Sequence, residues 1–118
     1  MAKTLLLIDD EPHILETAQD ILEAAGFGVV TAETGEAALQ KLRDGPCDLM
    51  IVDFNLLDTT GVDLAVKADQ LRPGLPVILM TGEANIDLGP AKTVIRTILT
   101  KPVNPSQLID IIHKIVDS

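Results

Sequence analysis

Asp48-Leu49-Met50-Ile51-Val52-Asp53, running on into Phe54-Asn55-Leu56-Leu57-Asp58-Thr59-Thr60-Gly61, is the stretch that decides the fold. Leu49 to Val52 form an unbroken apolar run, short and without polar alternation, as expected of a strand covered on both faces. Asp53 stands where that strand must end, and a polar stretch closing on Gly61 follows. A single acid after a strand is as readily a loop cap as a functional group. Its company decides the matter, because in open parallel sheets ligands collect outside the carboxyl ends of the strands.

Working outward, three more apolar runs end on polar residues. Leu5-Leu6-Leu7-Ile8 meets Asp9-Asp10-Glu11, and Val77-Ile78-Leu79-Met80 meets Thr81-Gly82. Val94 to Thr100, interrupted by Arg96, meets Lys101-Pro102. Val29 to Ala32 adds a fifth, brief strand. Helices fill the gaps. Pro12 suits a first helical turn, where its missing N–H leaves no partner wanting. Ile14, Leu15, Ala18, Ile21, Leu22 and Ala25 then recur at helical spacing up to Gly26. Thr34 caps a second helix that Gly45-Pro46 ends, and Val62 to Leu71 makes a third, bounded by Pro73-Gly74. Asn104 caps a last helix with Pro105 at its first position and an inward stripe of Leu108, Ile111, Ile112, Ile115 and Val116. Between Thr81 and Val94 a helix beginning at Ala84 is expected to be interrupted by Gly89-Pro90 and to stay loosely packed. Strands alternating with helices in this way mean an α/β fold on a parallel sheet.

Composition narrows the class. The 118 residues suit one domain spanning 1–118, and 47% hydrophobic content excludes a disordered chain. Aromatics are 2%, so the core is aliphatic. A net charge of -9, with no sequence cluster of Lys and Arg, argues against nucleic acid as a partner of this domain alone. Lone Cys47 reads as a small buried apolar group, and the N-terminal apolar run is too short for a signal peptide. No stretch approaches a membrane span. A cytoplasmic protein is expected.

Asp9 and Asp10 in LLLIDDEP, Asp53 in LMIVDFN, Thr81 in VILMTGEA and Lys101-Pro102 in ILTKP stand in order at strand ends. With these residues the chain resembles, over nearly its full length, the receiver domains of two-component response regulators, the chemotaxis regulators among them. The resemblance implies a flavodoxin-like sandwich with strand order 2-1-3-4-5 and helices on both faces, the fourth helix here shortened or irregular. The chemistry follows from charge. Three carboxylates at about 5 Å and an effective dielectric of about 20 repel by roughly 3 kcal/mol per pair. Lys101 offsets part of this, and an all-oxygen site suits a hard ion such as Mg²⁺ (or Mn²⁺). Asp53 then becomes the nucleophile toward a phosphorylated donor. By resemblance Asp10 is the direct metal ligand, Asp9 holds a metal-bound water, Asn55 lends its backbone carbonyl, and Thr81 with Lys101 receives the phosphoryl oxygens. Asn55 and Glu83 occupy positions that gate the hydrolytic water in such domains.

Plainer readings exist for single residues: Asp10 as helix-start chemistry, Thr81-Gly82 as a turn, Lys101 as a solvated side chain. His13 and His113 look like exposed or partly exposed helix positions, so a phosphodonor histidine must come from a sensor histidine kinase or a phosphotransfer protein. The chain departs from the family pattern at Leu57 (usually Pro), Ile98 (usually aromatic) and Val103 (commonly Phe), and all three bear on output rather than on the chemistry. The expected function is a phosphoacceptor switch that catalyses only its own phosphorylation and dephosphorylation. Two alternatives are a degenerate receiver serving as a constitutive interaction module and a phosphohydrolase of the haloacid dehalogenase type. The latter wants a second Asp two positions beyond the first-strand acid, where Glu11 stands.

Overall fold

The computed structural model describes residues 2–83 and 85–117. Five strands, β1 (Thr4–Ile8), β2 (Gly28–Ala32), β3 (Leu49–Asp53), β4 (Val77–Thr81) and β5 (Ile95–Thr100), make one sheet in the order β2-β1-β3-β4-β5. Every pairing is parallel, as the alternation with helices requires. Helices α1 (Pro12–Ala24) and α4 (Pro105–Val116) cover one face; α2 (Gly35–Asp44) and α3 (Gly61–Leu71) cover the other. The apolar strand runs therefore divide residue by residue. Leu6, Ile8, Met50, Val52, Val77 and Leu79 pack toward α2 and α3, whereas Leu5, Leu7, Leu49, Ile51 and Ile78 pack toward α1 and α4. Burial on both faces is why these strands show no polar alternation.

Helix ends follow the expected chemistry. The Thr34 hydroxyl accepts from Ala37 N–H at 3.1 Å, and Asn104 Oδ1 accepts from Ser106 N–H at 2.9 Å. Gly26 takes φ +99° just past α1, a left-handed conformation that suits glycine. At the far end of α2, the Arg72 guanidinium donates to the carbonyls of Leu42 and Gly45. Arg72 is the residue that closes α3, so the carboxyl ends of the two helices are tied together.

Expectations for the stretch after β4 and for Cys47 need correction. Ala84 lies outside the described residues, and residues 85–88 form no helix. Gly89-Pro90, read as an interruption, instead opens a 3₁₀ turn, Gly89–Thr93. Proline fits a first turn because its missing N–H would have no partner there. The segment is also better anchored than its composition suggested: Ala91 is fully buried, Val94 is buried, and Ile86 and Leu88 pack against the core. Arg96, which interrupts the apolar run of β5, sits at a register irregularity: Val77 pairs Ile95, but Ile78 pairs Thr97. Cys47 is half-buried rather than buried, its thiol 3.4 Å from the Leu49 carbonyl. His113 is exposed as expected, with its ring 5.0 Å from that of Phe27 and its Nδ1 2.9 Å from Asp117.

Gly61 opens α3 directly beneath the end of β3. A Cβ built there would lie 2.6 Å from the Asp53 carbonyl oxygen and 2.7 Å from Leu79 Cδ1. The carbonyl belongs to backbone and cannot swing aside. Gly61→Ala is expected to destabilise by about 1–3 kcal/mol through overpacking, read as a fall in urea midpoint at unchanged slope.

Candidate functional site

The carboxyl edge of the sheet gathers the residues singled out in the sequence. β3 ends on Asp53, β1 delivers Asp9 and Asp10, β4 ends on Thr81, and Lys101 follows β5. Backbone bonds continue the ladder beyond the strands and fix these positions: Asp9 N–H donates to Ala32, Phe54 N–H to Met80, and Lys101 N–H to Thr81 at 2.8 Å. Asp9, Asp53 and Thr81 are the buried polar side chains of the described residues. That three of the five proposed residues form this set makes the strand-end pattern a physical cluster.

Asp9, Asp10 and Asp53 each bring a carboxylate oxygen to within 4.8 Å of the others. Lys101 Nζ lies 2.6 Å from Asp53 Oδ1 and 4.0 Å from Asp9 Oδ2. The lysine side chain is about a third exposed, yet its ammonium is turned onto the acids. Burial alone would favour neutral Lys101, but the hydrogen bond to Asp53 and the nearby acids outweigh it and hold its pKa above the ordinary value. Asp9 is the strained member. It is 2% exposed, its Oδ1 accepts from Glu11 N–H at 3.0 Å, and its Oδ2 is the buried side-chain atom without a hydrogen-bond partner among the described residues. Desolvation pushes the Asp9 pKa up, with Asp53 and Asp10 adding repulsion against the pull of Glu11 N–H and Lys101.

An orphaned carboxylate oxygen beside two further acids is a donor set with room for a hard cation. The residues present fit one. Asn55 is exposed in the loop two residues beyond Asp53 and forms an isolated bridge with Thr60. The Thr81 hydroxyl accepts from Glu83 N–H at 3.0 Å; Glu83 itself is exposed. Ile98 pairs Leu79 across β4 and β5, so it faces the α2–α3 side of the sheet. It remains 42% exposed there, because a 3₁₀ turn covers less of the sheet than a helix. Leu57, in the place where proline is usual, is 79% exposed.

One contributor was missed in the sequence. Asp58 accepts from Gly35 N–H at 2.8 Å and from Glu36 N–H at 3.1 Å, across more than twenty residues of chain. Those bonds hold its carboxyl below the usual pKa range. The only hint was that α2 begins Thr-Gly-Glu, leaving two N–H groups that Thr34 cannot reach.

Comparison with known proteins gives a consistent answer. Residues 5–113 match the family described as the response regulator receiver domain. The chain is 36% identical over 106 residues to the transcriptional regulatory protein GlrR of Escherichia coli, covering 88% of this chain and 24% of that protein. It thus spans about a quarter of that relative's length. Among solved structures it is similar to a CheY-like response regulator receiver domain protein of Methanospirillum hungatei, with TM-score 0.92, 33% identity, and coverage of 99% and 95% of the two chains. The response regulator protein TrrA of Thermotoga maritima, in complex with Mg²⁺-BeF, superposes with TM-score 0.86 at 28% identity, covering 96% and 98%.

The missing hydrogen bond at Asp9 Oδ2 yields a test. Asp9→Asn is expected to stabilise the protein in EDTA by about 1–3 kcal/mol, the usual penalty of an unsatisfied buried group. The sign with pH follows from linkage. An acid whose folded pKa is raised binds more protons folded than unfolded, so stability falls as pH rises from about 4 through the raised value. The advantage of Asp9→Asn should therefore grow over that interval, measured by thermal melts from pH 4 upward. Asp53→Asn, which loses the 2.6 Å contact to Lys101, is expected to stabilise less.

Proposed function

The chain belongs to the response regulator receiver domain family, and from that premise we propose that it is a phosphoacceptor signalling switch, with Asp53 taking a phosphoryl group from the phosphohistidine of a sensor histidine kinase or phosphotransfer protein. The observation that carries the reading is the pairing of Asp53 with Lys101 at 2.6 Å inside a cluster of three acids. In the reaction an Asp53 oxygen bonds to phosphorus, the phosphorus–nitrogen bond breaks, and imidazole leaves with the electron pair. Asp9, Asp10 and Asp53, with the Asn55 carbonyl, would hold Mg²⁺ (or Mn²⁺); the chemistry a bound ion supplies is neutralisation of charge on the phosphoryl oxygens. The TrrA complex with Mg²⁺-BeF supports that choice by likeness.

The remaining groups belong to this chain alone. Lys101 remains protonated and passes from Asp53 to the new phosphoryl oxygens, keeping its charge against theirs. Thr81 accepts from Glu83 N–H and so retains its own hydroxyl proton for donation to phosphate. Burial excludes bulk water from Thr81. Movement of Thr81 draws on the loop that follows it, and the altered loop surface meets the downstream target. Ile98 has no ring or hydroxyl to exchange between buried and exposed positions, so the signal leaves through the main chain after Thr81.

Incubation with acetyl phosphate and Mg²⁺ is expected to add one acid-stable, base-labile phosphoryl group by mass, lost in Asp53→Asn and in excess EDTA. Labelling of Asp53→Asn to the wild-type level would sink the assignment. Asn55 and Glu83 are both exposed and polar, suited to orienting water for attack on the acyl phosphate. The double variant Asn55→Met, Glu83→Leu is expected to lengthen the phosphorylated lifetime at least severalfold, about 1 kcal/mol of barrier, followed by loss of the phosphoryl mass after donor removal. An unchanged lifetime would assign water positioning to other groups.

A further inference from the structure

The loop carrying the Asn55 carbonyl is fastened to a helix outside the site. Asp58 makes the attachment, with one carboxylate oxygen on Gly35 N–H and the other on Glu36 N–H, at 2.8 and 3.1 Å. Thr34 satisfies the next two donors of α2, Ala37 through its hydroxyl and Ala38 through its carbonyl. All four N–H groups at the start of α2 thus have partners, half of them from a loop 22 or 23 residues away. The approach is close enough to dictate sequence. A Cβ on residue 35 would lie 2.5 Å from the Thr59 methyl and 3.4 Å from Asp58 Oδ1, so glycine is what permits the contact.

Within the loop, position is passed along by short backbone links. Leu56 N–H donates to Thr59 at 3.1 Å, Asn55 is bridged to Thr60, and Gly61 N–H donates to Phe54 at 2.7 Å. Residues 54–61 therefore form one closed turn, and whatever fixes Asp58 fixes Asn55 as well. We propose that Asp58 is a positioning residue for the metal site, gripping the amino end of α2 so that the Asn55 carbonyl is held ready for the cation. This rests on the reading above that Asp9, Asp10, Asp53 and the Asn55 carbonyl bind Mg²⁺. Asp58 touches neither metal nor phosphoryl group; it acts through the turn, as outer partners of metal ligands do.

Mg²⁺ affinity separates this role from plain helix capping. Wild type, Asp58→Ala, Asp58→Asn and Thr34→Ala are titrated with MgCl₂, following backbone amide shifts by NMR, with urea denaturation run in parallel. Asp58→Ala is expected to bind Mg²⁺ on the order of tenfold more weakly, and Asp58→Asn, which keeps one acceptor oxygen, to fall between it and wild type. Thr34→Ala removes a cap from the same helix terminus without touching the loop. It should lower the urea midpoint while leaving Mg²⁺ affinity at the wild-type value. Equal affinity in Asp58→Ala and wild type would overturn the positioning role alone. Equal weakening in Thr34→Ala would also overturn it, because general loosening of α2 would then suffice. Absence of Mg²⁺ binding by wild type would remove the metal-site reading and this inference with it.

Discussion

Like charges crowded at the end of a parallel sheet are the constraint on which this structure depends. Parallel pairing puts every strand's carboxyl end on one edge, so three acids on two neighbouring strands are forced together. One lysine cannot neutralise them: it sits 2.6 Å from Asp53 but 4.0 Å from Asp9 Oδ2, which has no hydrogen-bond partner among the described residues. The fold tolerates the residual repulsion because the strands beneath are built on runs of four apolar residues buried on both faces. Stability is generated in the sheet and spent at its rim, which is where a charge-accepting site needs it.

Much of this was legible in the sequence because it is written in contiguous residues. LLLI before Asp9-Asp10, LMIV before Asp53 and VILM before Thr81 each encode both a strand and what the strand delivers. Gly26 and the caps Thr34 and Asn104 were legible for the same reason, since a cap acts within four residues of itself. Contacts between distant residues were not. Nothing in Leu57-Asp58-Thr59 announces that Asp58 will meet Gly35, and nothing near Arg72 points to Leu42 and Gly45. The Phe27–His113 ring contact joins opposite ends of the chain.

The stretch after β4 failed for a different reason. Gly89 and Pro90 are strong local signals, but a helix breaker and a helix starter look alike when only one turn is at stake. The outcome was settled by Ala91 and Val94, which fill space against the core. Tertiary packing overrode the local signal. Ile98 shows the complementary result: a residue of a buried-strand type left 42% exposed, because a short turn stands where a longer helix would shield it.

Helix α2 is held at both ends by residues that flank α3: Asp58 at its start, Arg72 at its finish. The two helices are thereby laced into a single plate on one side of the sheet. Helix α1, across the sheet, shows no such pair of ties among the described residues; its N-cap, Glu11, makes no side-chain capping hydrogen bond. A pull on residues 54–61 at the acidic rim would therefore reach the amino end of α2 through the two Asp58 hydrogen bonds.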